Sequence, residues 1–210
     1  MFYHNLFKAK DSEFIMANLF VDSTENFPQE RGLWKVLSRK TFTGKYGLKL
    51  HIDKVIQPNG KEGIYEWAEP KLGASVLPID NNDFIYLAKT FAYAGGVERL
   101  FAPGGGIEKF DGTPRDTAIR ELTEELGIIA DNYAYLGSFR PIPGVVNCPQ
   151  EIYLASGIKF TKTHLDSTER IKLEKMKLEE AFKYVMDPSK DIFDGQTDWA
   201  IMKTYFRLNR

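Results

Sequence analysis

The 210-residue sequence has little of what marks a secreted, membrane or nucleic-acid-binding protein. Cys148 is the sole cysteine, so no internal disulfide can form and a reducing compartment is expected. No apolar run is long enough to span a bilayer or to form a signal peptide. Lysine and arginine number 28 against 29 acidic residues, so no strong field favours nucleic acid. We therefore expect a cytoplasmic protein without a membrane or nucleic-acid partner.

Histidine is scarce as well. His4, His51 and His164 are scattered along the chain, so no histidine cluster for metal binding or catalysis is expected. His51 lies in "LKLHIDKVI", where it alternates with apolar residues. In a half-buried strand such alternation separates two faces, and we expect the His51 side chain to face solvent.

The sequence does contain strand patterns early in the chain. "WKVLSRKTF", "LKLHIDKVI" and "GIYEWAEP" are rich in β-branched and aromatic residues and predict a small antiparallel sheet. We expect an irregular lead-in at 1–32, this sheet as a subdomain at 33–70, and the main domain at 71–210. We interpret Trp34, Trp67 and Phe42 as packing residues of the core or of a dimer, with stacking on an aromatic ligand as the alternative.

Strands and helices interleave in the main domain, which predicts a mixed α/β (α+β) class. "NND" between "ASVLPID" and "FIYLAKTFAY" favours a hairpin, and "YAYLGSFRPIP" and "EIYLASGIKF" predict further strands. We interpret "KLEKMKLEE" as the solvated approach to a helix that Pro188 ends. The apolar residues of that helix have amphipathic spacing: Leu178, Ala181, Phe182 and Val185. Thr197 is expected to cap a last helix.

An acidic helix is the most informative element. Thr113 before Pro114 predicts its start and Gly127 its end. Apolar residues share one arc: Ala118, Ile119, Leu122 and Leu126. The glutamates Glu121, Glu124 and Glu125 share another arc, where Arg120 can pair with Glu124. Like charges at this spacing repel by about 0.2–0.5 kcal/mol per pair and lie at the end of the helix that favours cations. A solvated acidic face is the plain interpretation, but clustered carboxylates are also what Mg²⁺ requires.

The stretch "PGGGIE" leads from a strand into the loop before this helix. Glycines allow a ligand to approach the backbone closely, and a helix N-terminus favours anions. No Gly-Lys-Ser/Thr follows, so the stretch is not a P-loop. Together with the acidic helix it suggests a Mg²⁺-bound phosphate or diphosphate substrate.

The segment "GGGIEKFDGTPRDTAIRELTEELGI" resembles the Nudix box, Gly-x5-Glu-x7-Arg-Glu-U-x-Glu-Glu-x-Gly-U, with U an aliphatic residue. The second half matches fully, at Arg120, Glu121, Leu122, Glu124, Glu125, Gly127 and Ile128. The first half departs from the pattern. Either Gly106 begins the box and Gly112 replaces its first glutamate, or Gly105 begins it, Asp111 replaces that glutamate and Gly112 is inserted. We prefer the second alignment.

The resemblance implies a fold and a set of site residues. The fold is an α/β/α sandwich around a mixed sheet, preceded here by the small antiparallel sheet. Glu121 and Glu125 are implied as main Mg²⁺ ligands, with Glu124 assisting and a carbonyl of Gly104 or Gly105 joining them; Mn²⁺ is an alternative ion. The implied catalytic residues are Glu125, Glu121, Glu169 and Arg120.

The general base is left open by the resemblance. Acidic residues often lie in the loop after "EIYLASGIKF", which here is "HLDSTERI". Glu169 matches one acidic position, as a metal ligand or as the base, and Ser167 stands at another. A glutamate of the box is the other candidate for the base.

Pro143, 15 residues beyond Ile128, and the N-terminal sheet are similar to members that hydrolyse ADP-ribose. The implied reaction is hydrolysis of the diphosphate of ADP-ribose or a related nucleotide sugar, giving a nucleoside monophosphate and a sugar phosphate. Arg140, Pro143 and Gly106 are the candidate substrate-binding residues, with an ordinary surface arginine as the alternative for Arg140. The resemblance also implies a homodimer. Two alternatives remain: a Nudix-like nucleotide-binding module without turnover, or an enzyme acting on dinucleoside polyphosphates or capped RNA.

Overall fold

The computed structural model describes residues 21–165, 170–190 and 194–209. Their contacts divide the chain into two units, the first within Met1–Lys71 and Ile142–Asn147, the second within Leu72–Pro141 and Cys148–Arg210. No helix in these described ranges is long and apolar enough to cross a membrane.

The first unit is built on one antiparallel sheet. Its strands are β1 (Val21–Asp22), β2 (Gln29–Arg31), β3 (Trp34–Thr43), β4 (Lys49–Ile56) and β5 (Glu62–Glu69). They are ordered β1-β3-β4-β5, and β2 also pairs with β3. The three longest strands are those that the alternating apolar pattern predicts, so this part of the sequence prediction is confirmed.

A buried ion pair lies on one face of that sheet. Arg39 on β3 donates from Nε to Asp53 Oδ1 at 2.7 Å and from Nη2 to Asp53 Oδ2 at 3.0 Å. Asp53 is 2% exposed and also accepts a hydrogen bond from the indole of Trp67 at 3.1 Å. Glu25 takes a further Arg39 N–H at 3.1 Å. This network satisfies a carboxylate that would otherwise be buried without compensation.

His51 lies on the same face, so the expectation that it faces solvent is wrong. The side chain is 6% exposed, and its ring stacks on Trp67 at a centroid distance of 4.1 Å. The Thr41 hydroxyl is 2.9 Å from Nδ1. One face of β4 carries the buried residues His51, Asp53 and Val55, and the other face carries Leu50, Ile52 and Lys54, of which Leu50 and Lys54 are exposed. Burial lowers the pKa of His51, which favours the neutral ring.

The second unit contains two sheets and three helices in the residues described. Its strands are β6 (Gly73–Pro78), β7 (Phe84–Ala92), β8 (Val97–Phe101), β9 (Gly104–Gly106), β10 (Ile128–Phe139), β11 (Gln150–Phe160) and β12 (Lys172–Lys177). Its helices are α1 (Pro114–Leu126), α2 (Leu178–Met186) and α3 (Gly195–Leu208). One sheet is ordered β10-β11-β6-β9 with a parallel β11–β6 pair, and the other is ordered β12-β7-β8.

Alternate residues of the central strands face two separate cores. Leu77, Ile85 and Ile152 pack with α2 and α3. Their neighbours Val76, Tyr86 and Tyr153 pack with α1. Helices therefore cover both sides of the strands, which confirms the mixed α and β fold with an α/β/α arrangement.

One local prediction about this unit holds in part and two are wrong. The predicted turn is present, since Ile79 pairs antiparallel with Ile85 and the Asp80 N–H donates to the Phe84 carbonyl at 2.9 Å. Beyond that bridge the two strands separate into different sheets, and β6 pairs with β11 and β9. "KLEKMK" forms strand β12 against β7 instead of a helix approach. Asp194, not Thr197, caps α3, since its carboxylate accepts the N–H groups of residues 196 and 197.

The buried ion pair of the first unit gives a stability prediction. Asp53→Ala leaves Arg39 charged and buried without its main partner, which should lower the free energy of unfolding by about 3–5 kcal/mol. Urea unfolding followed by tryptophan fluorescence measures this, since Trp34 and Trp67 lie in this unit. Lys49→Met is the control, because it removes the exposed Lys49–Glu69 pair of the same sheet and should change stability by less than about 1 kcal/mol. Equal losses of unfolding free energy in Asp53→Ala and Lys49→Met would contradict a special contribution of the buried ion pair.

Candidate functional site

Helix α1 begins and ends where its sequence predicts. The Thr113 hydroxyl accepts the Asp116 N–H at 3.2 Å and donates to the Asp116 carboxylate at 2.7 Å, and Pro114 is the first helical residue. Gly127 ends the helix in the left-handed region at φ 59°, where its N–H reaches the carbonyl of Thr123. Leu122 and Leu126 face the core. This anchoring turns the glutamate face away from the core.

Strand β9 lies against that glutamate face. It consists of Gly104–Gly106 and pairs with residues 73–75 of β6. A Cβ on Gly105 would lie 2.3 Å from Glu121 Oε1, far inside contact distance. Glycine at this position therefore lets the Glu121 carboxylate rest directly on the backbone of β9.

The positive charge of Arg120 offsets the negative charge of the carboxylates around it. Its Nη1 donates to Glu121 at 2.7 Å and to Glu124 at 3.0 Å, which confirms the expected i, i+4 pair. Its Nε and Nη2 donate to the two oxygens of Asp111 at 3.2 and 3.1 Å. Nη2 also reaches the carbonyl of Gly106 at 3.2 Å. One guanidinium thus holds three carboxylates and the end of β9 in a fixed arrangement.

Asp111 occupies the place of the missing first glutamate. Its side chain is 4% exposed and also accepts hydrogen bonds from the Thr117 hydroxyl and the Glu108 N–H, both at 2.9 Å. The hydrogen bond from Arg120 is the main cause that lowers the pKa of Asp111 to about 2. These contacts favour the alignment in which Gly105 begins the box and Gly112 is inserted.

Glu125 borders a cavity of about 240 Å³ within the second unit. Gly104 and Thr90 line the same cavity, and Gln196 from the first turn of α3 lines it too. The remaining walls are apolar: Ala88, Ala92, Phe101, Ala102 and Ile171. Thr90 and Gln196 were not singled out from the sequence, because no spacing or motif connects them to the acidic helix.

The described residues supply oxygen donors that suit a divalent cation. The carboxylates of Glu121 and Glu125 lie one helical turn apart, and the close approach of Glu121 to Gly105 places backbone oxygen donors of β9 nearby. Within residues 21–165, 170–190 and 194–209, no three histidine, cysteine, aspartate or glutamate side chains are grouped to hold a metal ion. Glu169, the further acidic ligand expected from the sequence, lies outside the described residues.

The other predicted substrate residues are placed in different surroundings. Arg140 is exposed, and the Gly106 carbonyl accepts a hydrogen bond from Arg120. Pro143 borders a second cavity, of about 300 Å³, inside the first unit. That cavity is lined by aromatic rings of Trp34, Tyr65 and Trp67. Its remaining walls are Arg31, Val36, Asp53, Val55 and residues 144–147.

Comparison with known families identifies the class of the chain. The model of the NUDIX domain matches residues 69–191, which include the glycine strand, the acidic helix and the strands that flank them. The chain belongs to the Nudix family and is a Nudix hydrolase of the kind that resembles ADP-ribose pyrophosphatases. Members of this family generally use a divalent metal ion.

Two relatives support this classification, and one solved structure supports the fold. The methanol dehydrogenase activator of Bacillus methanolicus is 30% identical over 168 residues, covering 79% of this chain and 89% of that protein. The ADP-ribose pyrophosphatase of Bacillus subtilis (strain 168) is 29% identical over 170 residues, with the same coverage of 79% and 89%. The crystal structure of an ADP compounds hydrolase shares the fold, with a TM-score of 0.72 and 19% identity over 88% of this chain and 97% of that one.

The Asp111–Arg120 pair gives a prediction of pH-dependent stability. The pKa of Asp111 falls from 3.8 to about 2 in the folded protein, so the pair stabilises the fold above pH 3.8 and loses that effect as the pH falls through about 2. Asp111→Asn should therefore lower the free energy of unfolding by about 2 kcal/mol at neutral pH. The difference from wild type should narrow between pH 4 and pH 2.

Denaturant unfolding at a series of pH values measures this difference. Asp131→Asn is the matched control, because Asp131 forms an exposed pair with Lys159 and contributes little. If the unfolding free energies of Asp111→Asn and wild type differ by the same amount from pH 4 to pH 2, the proposed stabilisation by ionised Asp111 is wrong.

Proposed function

We propose that the protein hydrolyses the diphosphate linkage of ADP-ribose or a related nucleoside diphosphate sugar, with Mg²⁺ or Mn²⁺ as its ion. The observation that carries the proposal is the acidic face of α1, whose Glu121 rests on the glycine backbone of β9 and whose Glu125 borders a cavity. The similarity to an ADP-ribose pyrophosphatase supports the substrate class.

The charged residues of α1 are proposed to have two roles, cation binding and positioning of the cation ligands. Glu121 and Glu125 are proposed to hold the cation with their carboxylates, with Glu124 assisting and a carbonyl of Gly104 or Gly105 joining them. Arg120 holds Glu121 and Glu124 in position through the hydrogen bonds described above. A divalent cation bound there would screen the diphosphate and stabilise negative charge that develops on the leaving phosphate.

Hydrolysis adds one water molecule across the diphosphate. The water oxygen forms a bond to one phosphorus while the bridging P–O bond breaks, and the products are a nucleoside monophosphate and a sugar phosphate. A carboxylate is proposed to take the proton that the water loses. Glu169 and the glutamates of α1 are the candidates for this base. Among the glutamates of α1, Glu125 lines the cavity in the part of the chain that the structure describes.

A nucleotide-binding module without turnover is the main competing hypothesis. The irregular first half of the box motivates that hypothesis, because a lost first glutamate would leave Arg120 without its support. Asp111 supplies that support through two hydrogen bonds to Arg120. The missing first glutamate is therefore not by itself a reason to expect lost turnover.

The aromatic cavity of the first unit is proposed as the site of the nucleobase. Trp34 and Tyr65 meet edge to face with a centroid distance of 5.4 Å, and both line the cavity. Trp67 is already covered by the His51 ring and by the guanidinium groups of Arg31 and Arg39. Trp34 is therefore the ring best placed to stack on a base.

Glu125→Gln tests the proposed hydrolysis. The amide cannot supply the anionic ligand or accept a proton, so kcat for ADP-ribose with Mg²⁺ should fall at least about a hundredfold. Glu124→Gln should cause a smaller loss, and Glu180→Gln, at an exposed position on α2, should leave turnover unchanged. The measurement is the release of phosphate monoesters, made on a panel of substrates: ADP-ribose, nucleotide sugars, dinucleoside polyphosphates and capped RNA. Turnover that persists in Glu125→Gln would refute the proposed role of this helix.

Trp34→Leu tests the base site. Loss of a stacking ring should raise KM for ADP-ribose about tenfold and leave kcat nearly unchanged, since the ring does not act on the diphosphate. Isothermal titration with AMP compares the nucleotide affinities of wild type and Trp34→Leu without any turnover. Phe42→Leu is the matched control on the same strand, because Phe42 does not line the cavity. A change in kcat alone, or equal changes in both variants, would argue against a base at this position.

A further inference from the structure

The chain leaves one sheet of the second unit and enters the other within two residues. Phe101, the last residue of β8, pairs with Ala88 in the three-stranded sheet. Gly104, the first residue of β9, pairs with Ser75 in the four-stranded sheet. Only Ala102 and Pro103 lie between them. This crossing determines where Gly104 stands on the wall of the cavity that Glu125 borders.

Few groups can fix the crossing. Pro103 has no N–H, and its carbonyl accepts the N–H of Val76 at 2.8 Å. Ala102 is 3% exposed, so its N–H requires a partner within the protein. That partner is the Thr197 hydroxyl, at 2.8 Å and fully buried. Thr197 comes from α3, almost a hundred residues later in the chain.

The Thr197 hydroxyl is itself oriented by the cap of α3. It donates to the Asp194 carboxylate, and the other oxygen of that carboxylate accepts the N–H groups of Gln196 and Thr197 at 3.0 and 3.2 Å. Because its proton goes to Asp194, the hydroxyl presents a lone pair to Ala102. The same first turn of α3 places Gln196 in the cavity wall.

We propose that Thr197 is a positioning residue for hydrolysis, which ties the β8–β9 crossing to α3 and thereby positions the Gly104 backbone in the wall of the cavity that Glu125 also lines. The inference rests on the proposed function for its cation site and for its link to hydrolysis, and cation affinity and turnover are therefore measured separately. The hydroxyl of Thr197 is hydrogen-bonded to the Ala102 N–H and to the Asp194 carboxylate. It acts through the backbone of residues 102–104, and groups that orient ligands in this way typically change metal affinity by tenfold or more when they are removed.

Thr197→Val removes the hydroxyl while keeping the shape of the side chain. Thr197→Ser restores the hydroxyl and serves as the rescue variant. Thr204→Val is the matched control on the same helix, since Thr204 is also fully buried and its hydroxyl has no hydrogen-bond partner in the described part of the chain. Three quantities are measured on each protein: Mn²⁺ affinity by electron paramagnetic resonance, exchange of the Ala102 amide hydrogen, and kcat and KM for ADP-ribose.

Thr197→Val is expected to bind Mn²⁺ about tenfold more weakly and to exchange the Ala102 amide faster. Its kcat at a fixed low Mg²⁺ concentration should fall while KM changes little. Thr197→Ser should behave close to wild type, and Thr204→Val should match wild type in all three measurements. Folded Thr197→Val with unchanged Mn²⁺ affinity and turnover would overturn the inference, as would an equal loss in Thr204→Val.

The measurements separate this inference from the proposed function. If wild type hydrolyses ADP-ribose and Thr197→Val does so equally well with the same Mn²⁺ affinity, the function stands and the inference fails. If wild type turns over no substrate but Thr197→Val weakens Mn²⁺ binding, the proposed hydrolysis fails, and only the effect of Thr197 on the cation site holds. If wild type neither binds Mn²⁺ nor turns over substrate, both fail.

Discussion

The contact of Arg120 with its carboxylates is the interaction on which the candidate site depends. Three glutamates on one helical face repel one another and lie near the helix end that favours cations. Arg120 offsets this by pairing with Glu121 and Glu124 and by anchoring to the buried carboxylate of Asp111. The same guanidinium reaches the carbonyl of Gly106 and so joins α1 to β9. An acidic face that is unfavourable for a helix alone thereby becomes a fixed part of the fold.

The sequence predicted this helix well because every signal for it is local. Thr113, Pro114 and Gly127 determine the ends, and the spacing of the leucines and glutamates determines the two faces. The glycines of β9 were also recognised as a site of close approach, although only the structure shows that Glu121 is what approaches Gly105. Asp111 could be aligned with the missing glutamate because it stands next to a single inserted residue.

The predictions that failed involve partners distant in the sequence. His51 is buried because Thr41 and Trp67 are its neighbours across the sheet, and neither is apparent from the alternation of one strand. Thr197 was predicted to cap the last helix, but its hydroxyl accepts the Ala102 N–H, and Asp194 is the N-cap residue. Strand β12 carries four exposed residues in succession, so its sequence has no alternation by which to recognise it.

Product analysis by ³¹P nuclear magnetic resonance tests the central claim most directly. ADP-ribose incubated with the protein and Mg²⁺ should lose its two diphosphate resonances and gain those of AMP and ribose 5-phosphate in equal amounts. Chelation of the cation should stop the conversion, because the acidic face of α1 is proposed to act only with the ion bound. Diphosphate resonances that persist with Mg²⁺ or Mn²⁺, while the protein binds the nucleotide, would contradict the account and indicate a binding protein.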